Sequence, residues 1–230
     1  MLKIKKKILL NAGHWDDPDT DNVEDPGAVV NNKKEGVIVM KIRDLLVPLL
    51  KQNFEVEIVP DELNLIESTK WVNKKVKKLN DGLALSIHLN AGGGTGAETL
   101  YYGNSNESKK LAQIILDEYC NKTGYENRGP KSDTTTRFKR NGWIRDTNCW
   151  STLLECYFLD NESDREKVTN DDIAYAIYCS VCKLYKIKPK ISKKDLIEEA
   201  LKELSEIKIE LVDVFTRLNN IINKIRGLKK

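Results

Sequence analysis

The sequence predicts an α/β fold, a sheet with helices packed on its faces, followed by a separate amphipathic helix at the carboxyl end. Short apolar strand-like runs fall at residues 7–11, 54–59, 83–89, 97–102 and 151–158. Between them lie segments whose apolar residues recur at intervals of three and four, the period of a helix with one buried face. Strands interleaved with helices in this way imply a sheet covered by helices. Beyond residue 191 the spacing changes to a strict alternation of four and three, the signature of a coiled-coil seam.

Taken in order, the first run, KILLNAGH, is closed by His14. A helix is expected to begin near Glu35, with Ile38, Ile42, Leu45, Leu46 and Leu49 on one face. Pro48 lacks a backbone donor and is expected to kink or end it. After the run at 54–59, a second helix from about Glu62 to Leu79 carries Leu65, Ile66, Thr69, Val72, Val76 and Leu79. The third run, LALSIH, is closed by His88 and followed by glycine-rich NAGGGTG. Such a run cradles phosphate when it opens a helix, but this one leads into strand-like AETLYYG and matches no nucleotide fingerprint. A turn bringing backbone close to a substrate beside His88 fits better. A third helix spans Ser108 to about Asn121, and STLLECYF forms the last run. The fourth helix follows Thr169 and Asn170 as caps, with Ile173, Ile177, Val181 and Leu184 on one face. Tyr175, Tyr178, Cys179 and Cys182 lie opposite, so this helix needs cover on both sides, which the carboxyl-terminal helix could supply.

At 230 residues the chain holds one domain of ordinary size plus an appendage. Its 38 basic and 35 acidic residues, a net of +3, are too evenly mixed for a nucleic-acid binder. From Ile187 onward 11 Lys and Arg face 7 Asp and Glu, so attraction to an anionic polymer lies mainly in the tail. Five cysteines, odd in number and irregular in spacing, argue against a disulfide framework and for synthesis in a reducing compartment. Cys179 and Cys182 form a CxxC without a second pair and read as buried small apolar residues. The start, MLKIKKKILLNAGH, has the basic residues and apolar run of a secretion signal, but the run is too short and no cleavage site follows in register. Synthesis in the cytoplasm without a signal peptide is expected, and no transmembrane span is evident. The acidic stretch 16–25 places Asp17, Asp19 and Asp21 at calcium-loop spacings, but Asn22 and Ala28 break the pattern, leaving a solvated loop.

The chain has only two histidines, each closing a strand-like run, and Glu35 opens the helix between them. Two imidazoles and one carboxylate form the ligand set of a catalytic zinc ion, whose fourth position is left to water or substrate. One zinc held by His14, Glu35 and His88 would polarise a carbonyl and lower the pKa of water to about 7. A carboxylate that is not a ligand is still needed to take that proton and deliver it to a leaving amine. Glu155, an acid among the apolar residues of STLLECYF, is the candidate, because burying it is costly unless it is used or paired.

The segments NAGH (11–14), DPGA (25–28), KKE (33–35), SIHLNAGGGTGAET (86–99), RGPK (128–131) and LLECYFLDN (153–161) stand in an order that resembles the zinc-dependent N-acetylmuramoyl-L-alanine amidases of the amidase-3 class, which include bacterial cell-wall hydrolases and phage endolysins. The resemblance covers about residues 5–186. It implies a single, mostly parallel six-stranded sheet flanked by helices, and cleavage of the amide between N-acetylmuramic acid and L-alanine of the stem peptide. It carries the zinc ligands onto His14, Glu35 and His88 and the catalytic glutamate onto Glu155, and puts Asn90 and Arg145 at substrate-binding positions near the cleft. The acidic loop beginning at Trp15 is longer than the family's glycine-rich link.

These readings divide the chain into a catalytic domain at 1–186, a linker at 187–191 and a carboxyl-terminal helix at 192–230. In that helix Ala200, Leu204, Ile207, Leu211, Val214, Leu218, Ile221, Ile225 and Leu228 form an unbroken seam, with Leu at a and β-branched residues at d. That arrangement favours a homo-oligomer of more than two strands. The expected partner is peptidoglycan, reached after release from the cytoplasm, with no nucleic acid and no membrane insertion. A different zinc peptidase or deacetylase on the same ligands, and a non-catalytic oligomeric wall-binding protein, are the competing readings.

Overall fold

The computed structural model describes residues 3–14, 25–136, 139–190, 201 and 204–218. In chain order the elements are β1 (Lys7–Ala12), β2 (Val29–Val30), β3 (Lys33–Lys34), α1 (Glu35–Leu50), β4 (Glu55–Ile58), α2 (Leu65–Lys75), β5 (Leu83–Asn90), β6 (Ala97–Tyr101), α3 (Asn106–Thr123), β7 (Asn127–Ser132), α4 (Gly142–Asp146), β8 (Trp150–Phe158), α5 (Glu162–Arg165) and α6 (Asn170–Tyr185). The chain divides into two compact units, Met1–Lys188 and Pro189–Lys230.

The sheet is six-stranded and mostly parallel, in the order β4-β1-β5-β8-β6-β7, and only the β6–β8 pair is antiparallel. Central β5 and β8 are covered on both faces, which is why they read as nearly continuous apolar runs. Side chains alternate between the faces. Leu83, Leu85, Ile87 and Leu89 of β5, with Leu154 and Cys156 of β8, join the larger core against α1, α3 and α6. Leu9, Ala84, Leu100 and Leu153 point the other way and pack with Val72 of α2 and Trp143 and Ile144 of α4. Continuing along that second face, β1, β5, β6 and β8 present Asn11, Ser86, His88, Asn90, Glu98 and Glu155. This change from apolar to polar marks where the helical cover gives way to a cleft.

Several expectations are refined. β7, with Gly129 and Pro130, has no strand-like apolar run; an edge strand tolerates proline because one row of its backbone groups needs no ladder partner. Pro48 lies inside α1, and buried Val47 and Leu50 hold its last turn in the core, so the helix runs on to Leu50. α2 is shorter than its apolar pattern. Asn64 caps it through a capping box with Glu67, Val76 is extended, and Leu65, Ile66 and Leu79 are exposed. α6 packs against both α1 and α3, which supply the two-sided cover its composition demands. Its start is as expected, with Thr169 in a capping box with Asp172. In the second unit residues 204–218 are helical, while Ala200, Ile221, Ile225 and Leu228 of the seam lie outside the described residues.

Candidate metal centre and active site

Connectivity alone places a cleft at the carboxyl ends of β1 and β5. The chain leaves β1 for β4 on one side and later returns to β5 on the other, and at such a switch point the connections diverge and open a crevice. His14 follows β1 directly and His88 lies near the end of β5, so the crevice receives both imidazoles. Glu35 is brought there by a tight hairpin. Asn31 and Asn32 adopt left-handed φ values of 48° and 60°, the two-residue turn that matches strand twist, and join β2 to β3 immediately before α1. The first helical N–H groups need partners. Glu35 N–H donates to the Ala28 carbonyl and Gly36 N–H to that of Pro26, which ties the start of α1 to the DPGA segment.

The three side chains converge. One nitrogen from each histidine and one Glu35 oxygen all lie within 4.8 Å of one another, the group of metal-binding type found among the described residues. Glu35 Oε1 is 3.6 Å from His14 Nε2 and 3.3 Å from His88 Nδ1. Oε1 also accepts the Leu89 N–H at 2.9 Å, and Oε2 accepts that of Ala28 at 2.9 Å. Burial opposes ionisation of Glu35, but the hydrogen bond and charge of His88, the charge of His14 and the Ala28 N–H outweigh it and hold the carboxyl below its usual value. His14 Nδ1 lies 2.8 Å from Asp25 Oδ1. A proton on Nδ1 for Asp25 leaves the Nε2 lone pair directed at Glu35, the carboxylate–histidine arrangement that orients metal ligands. Two imidazoles and a carboxylate on fixed supports fit a zinc ion, which takes histidine nitrogen and carboxylate oxygen as ligands.

Two glycines make the convergence possible. A Cβ on Gly13 would lie 2.0 Å from His88 Nε2, and one on Gly27 would lie 2.5 Å from Glu35 Oε2 and 2.8 Å from the His14 ring. Gly27 also has φ +64°, a conformation that favours glycine.

Glu155 of β8 is the direct register partner of His88 on β5 and of Glu98 on β6. Its Oε2 is shut off from solvent and has no hydrogen-bond partner among the described residues. Burial, then the charges of Glu35 and Glu98 against the opposing His14, push the carboxyl up to about 8 in the metal-free protein. Two carboxylates facing each other across strands repel. Glu98 is compensated by Arg128 Nε at 2.8 Å and Asn90 Nδ2 at 3.1 Å, whereas Glu155 Oε2 has no such partner among the described residues.

Asn90 thus stands on the same face as His88, with its amide donating to Glu98 and its Oδ1 accepting the Ala91 N–H. Arg145 is placed elsewhere. It pairs with fully buried Asp133, lies over the Tyr102 ring and lines a cavity of about 470 Å³ with Trp150 and Ile144. A different cavity, of about 200 Å³, holds His14, His88, Asp25, Asp61, Asn141 and Trp143. The glycine-rich loop after β5 is latched by the segment after β8. Asp160 accepts the Gly92 and Gly93 N–H groups, and Asp164 accepts those of Gly96 and Phe158 and the Thr95 hydroxyl. Sequence reading did not single out Asp25, Gly13, Gly27 or Glu98. The only signal was their membership of the quoted motifs.

Two histidines and a glutamate converging at the switch point of a mostly parallel sheet define a candidate metal site in an α/β domain. Residues 8–183 match the family described as N-acetylmuramoyl-L-alanine amidase, Amidase_3, and the chain belongs to it. It is 25% identical over 176 residues to the endolysin of Bacillus phage SPP1, covering 73% of this chain and 60% of the relative. It is 27% identical over 176 residues to the N-acetylmuramoyl-L-alanine amidase CwlM of Bacillus licheniformis, covering 74% and 64%. The chain therefore spans somewhat under two thirds of the length of these relatives. Among solved structures, an N-acetylmuramoyl-L-alanine amidase from Clostridium difficile 630 superposes with a TM-score of 0.65 at 23% identity, over 80% of this chain and 98% of that one. The CwlD amidase from Clostridioides difficile, solved with the GerS lipoprotein, gives 0.62 at 25% identity over 80% and 100%. No helix among the described residues is long and apolar enough to cross a membrane.

Proposed function

We propose that this protein hydrolyses the amide between the lactyl group of N-acetylmuramic acid and L-alanine of the peptidoglycan stem, and that it serves as an endolysin acting on the wall after release. The observation that carries this reading is the convergence of His14, Glu35 and His88, together with Glu155, the register partner of His88, whose Oε2 has no hydrogen-bond partner among the described residues. The relatives named as amidases and as an endolysin support the choice of bond and setting.

His14 Nε2, His88 Nδ1 and Glu35 would hold one zinc ion, with Asp25 fixing the His14 tautomer. Zinc, when bound, polarises the scissile carbonyl and makes water acidic enough to attack near neutral pH. The Glu155 carboxylate takes a proton from the attacking water and gives it to the departing amide nitrogen, so the peptide leaves as an amine. The glycine-rich loop, latched by Asp160 and Asp164, sets one wall of the cleft beside His88 and Asn90.

The second unit adds an assembly function to this reading. Leu204, Ile207, Leu211, Val214 and Leu218 of the 204–218 helix are each more than half exposed and lie at a and d of a heptad pattern. A second copy covers such a seam with its own, giving a homo-oligomer in which several sites meet one wall polymer.

Two substitutions test the catalytic reading. His88→Ala should abolish zinc binding and amide cleavage together. Glu155→Gln should keep zinc and lose at least about 100-fold in turnover on purified peptidoglycan. A new N-terminal alanine released by the wild type identifies the bond, and release of any other terminus overturns the reading.

A further inference from the structure

Arg128 belongs to the RGPK segment, and the reaction as described above gives it no task. Its guanidinium is held on three sides. Nε donates to Glu98 Oε2 at 2.8 Å, Nη1 to the Thr95 carbonyl at 3.2 Å, and the group lies over the Phe158 ring with 4.7 Å from Cζ to the centroid. Nη2 has no hydrogen-bond partner among the described residues, and the side chain is 32% exposed. A guanidinium fixed by Nε and Nη1 with an open Nη2 edge is a preorganised donor for an oxyanion, because little side-chain freedom remains to be lost on binding.

Its direction from the metal ligands follows from strand order. β5 carries His88, β8 carries Glu155, β6 carries Glu98 and β7 carries Arg128, in that spatial sequence. Neighbouring strands lie about 4.8 Å apart, so the β7 backbone is roughly 14 Å from β5. The arginine side chain returns over β6 to reach Glu98. Glu155 stands between the ligands and Arg128, and Glu155 is the group that delivers a proton to the departing amine. The amine therefore leaves toward β8, and the chain attached to it continues across β6 toward β7. The acyl and sugar part is left to the other side of His88, where Asp61, which follows β4, lines the smaller cavity.

We propose that Arg128 binds a carboxylate on the peptide side of the scissile amide, that of the residue following alanine, and so discriminates a free carboxylate from its amide. The inference rests on the amidase reading. It is tested with two soluble muramoyl-peptides differing only in whether that carboxyl is free or amidated. The wild type should favour the free acid in kcat/KM by roughly 10-fold or more, the range of a charge-assisted hydrogen bond. Arg128→Met should bring the ratio close to one with zinc content unchanged, and Arg128→Lys, which keeps the charge but loses the fixed fork, should give an intermediate ratio. A wild type that cleaves both equally, or an Arg128→Met enzyme that loses both equally with the ratio intact, overturns the proposal, since a residue that merely braces Glu98 and the loop cannot move the ratio. A wild type that cleaves neither compound overturns the amidase reading itself.

Discussion

Gly13→Ala places a methyl group where the structure has no room for one. The added Cβ would lie 2.0, 2.1 and 2.4 Å from His88 Nε2, Cε1 and Cδ2, against the 3.4 Å at which ordinary contact begins. The ring must retreat by about 1.4 Å, because the backbone at Gly13 is pinned by its N–H donating to the Ile87 carbonyl at 2.8 Å. Metal ligand distances tolerate only about 0.2 Å, so the displacement removes His88 from the ligand set. Loss of zinc affinity should exceed the 10- to 100-fold typical of a supporting residue. The fold should survive, since the added methyl meets the cleft rather than the core, at a cost of roughly 1–3 kcal/mol for overpacking. Zinc affinity measured by chelator competition, with thermal unfolding of the metal-free proteins alongside, checks both parts. Gly129→Ala is the control. Its Cβ meets nothing within 4 Å, and φ of +76° makes it cost about 1 kcal/mol of backbone strain without touching the ligands. A Gly13→Ala protein that binds zinc within threefold of wild type would refute the geometry of the site.

Three further outcomes are expected. Asp25→Ala frees the His14 ring to rotate and change tautomer, and should weaken zinc binding 10- to 100-fold in the same competition assay; an unchanged affinity would mean that Asp25 does not orient the ligand. In metal-free protein Glu155 holds a proton up to about pH 8 that the unfolded chain releases near 4.5. Its contribution to stability is fully present below 4.5 and is lost as pH rises toward 8, on the order of 5 kcal/mol. Melting of chelated wild type and Glu155→Gln across that range should show the slope only in the wild type, and parallel slopes would sink the assignment. Truncation after Lys190 should yield a monomer that keeps zinc and cleaves soluble fragments but acts poorly on intact walls; light scattering that finds the full chain monomeric at micromolar concentration removes the avidity argument.

Local pattern was enough to read the alternation of strands and helices, because apolar period reports which face of each element is buried, and the long central runs of β5 and β8 report burial on both faces. It was enough to point to His14 and His88, since each closes such a run, and to Glu155, since an acid inside one is conspicuous. β7 was not legible, because an edge strand needs neither apolar residues nor a full set of donors, and NRGPKS has no apolar run and lacks a donor at Pro130. Nor was the Asn31–Asn32 turn that aims Glu35, or the contact of Asp25 with His14 across a loop. Asn90 and Arg145 were read together as cleft residues, yet Asn90 lies on the His88 face and Arg145 is taken by Asp133. These pairings depend on strand register and crossover, which set side chains from distant parts of the chain beside one another. A one-residue slip of β8 would leave every element in place and turn Glu155 away from His88. The sequence alone determined which groups could do the chemistry; the register of six strands decided which of them meet.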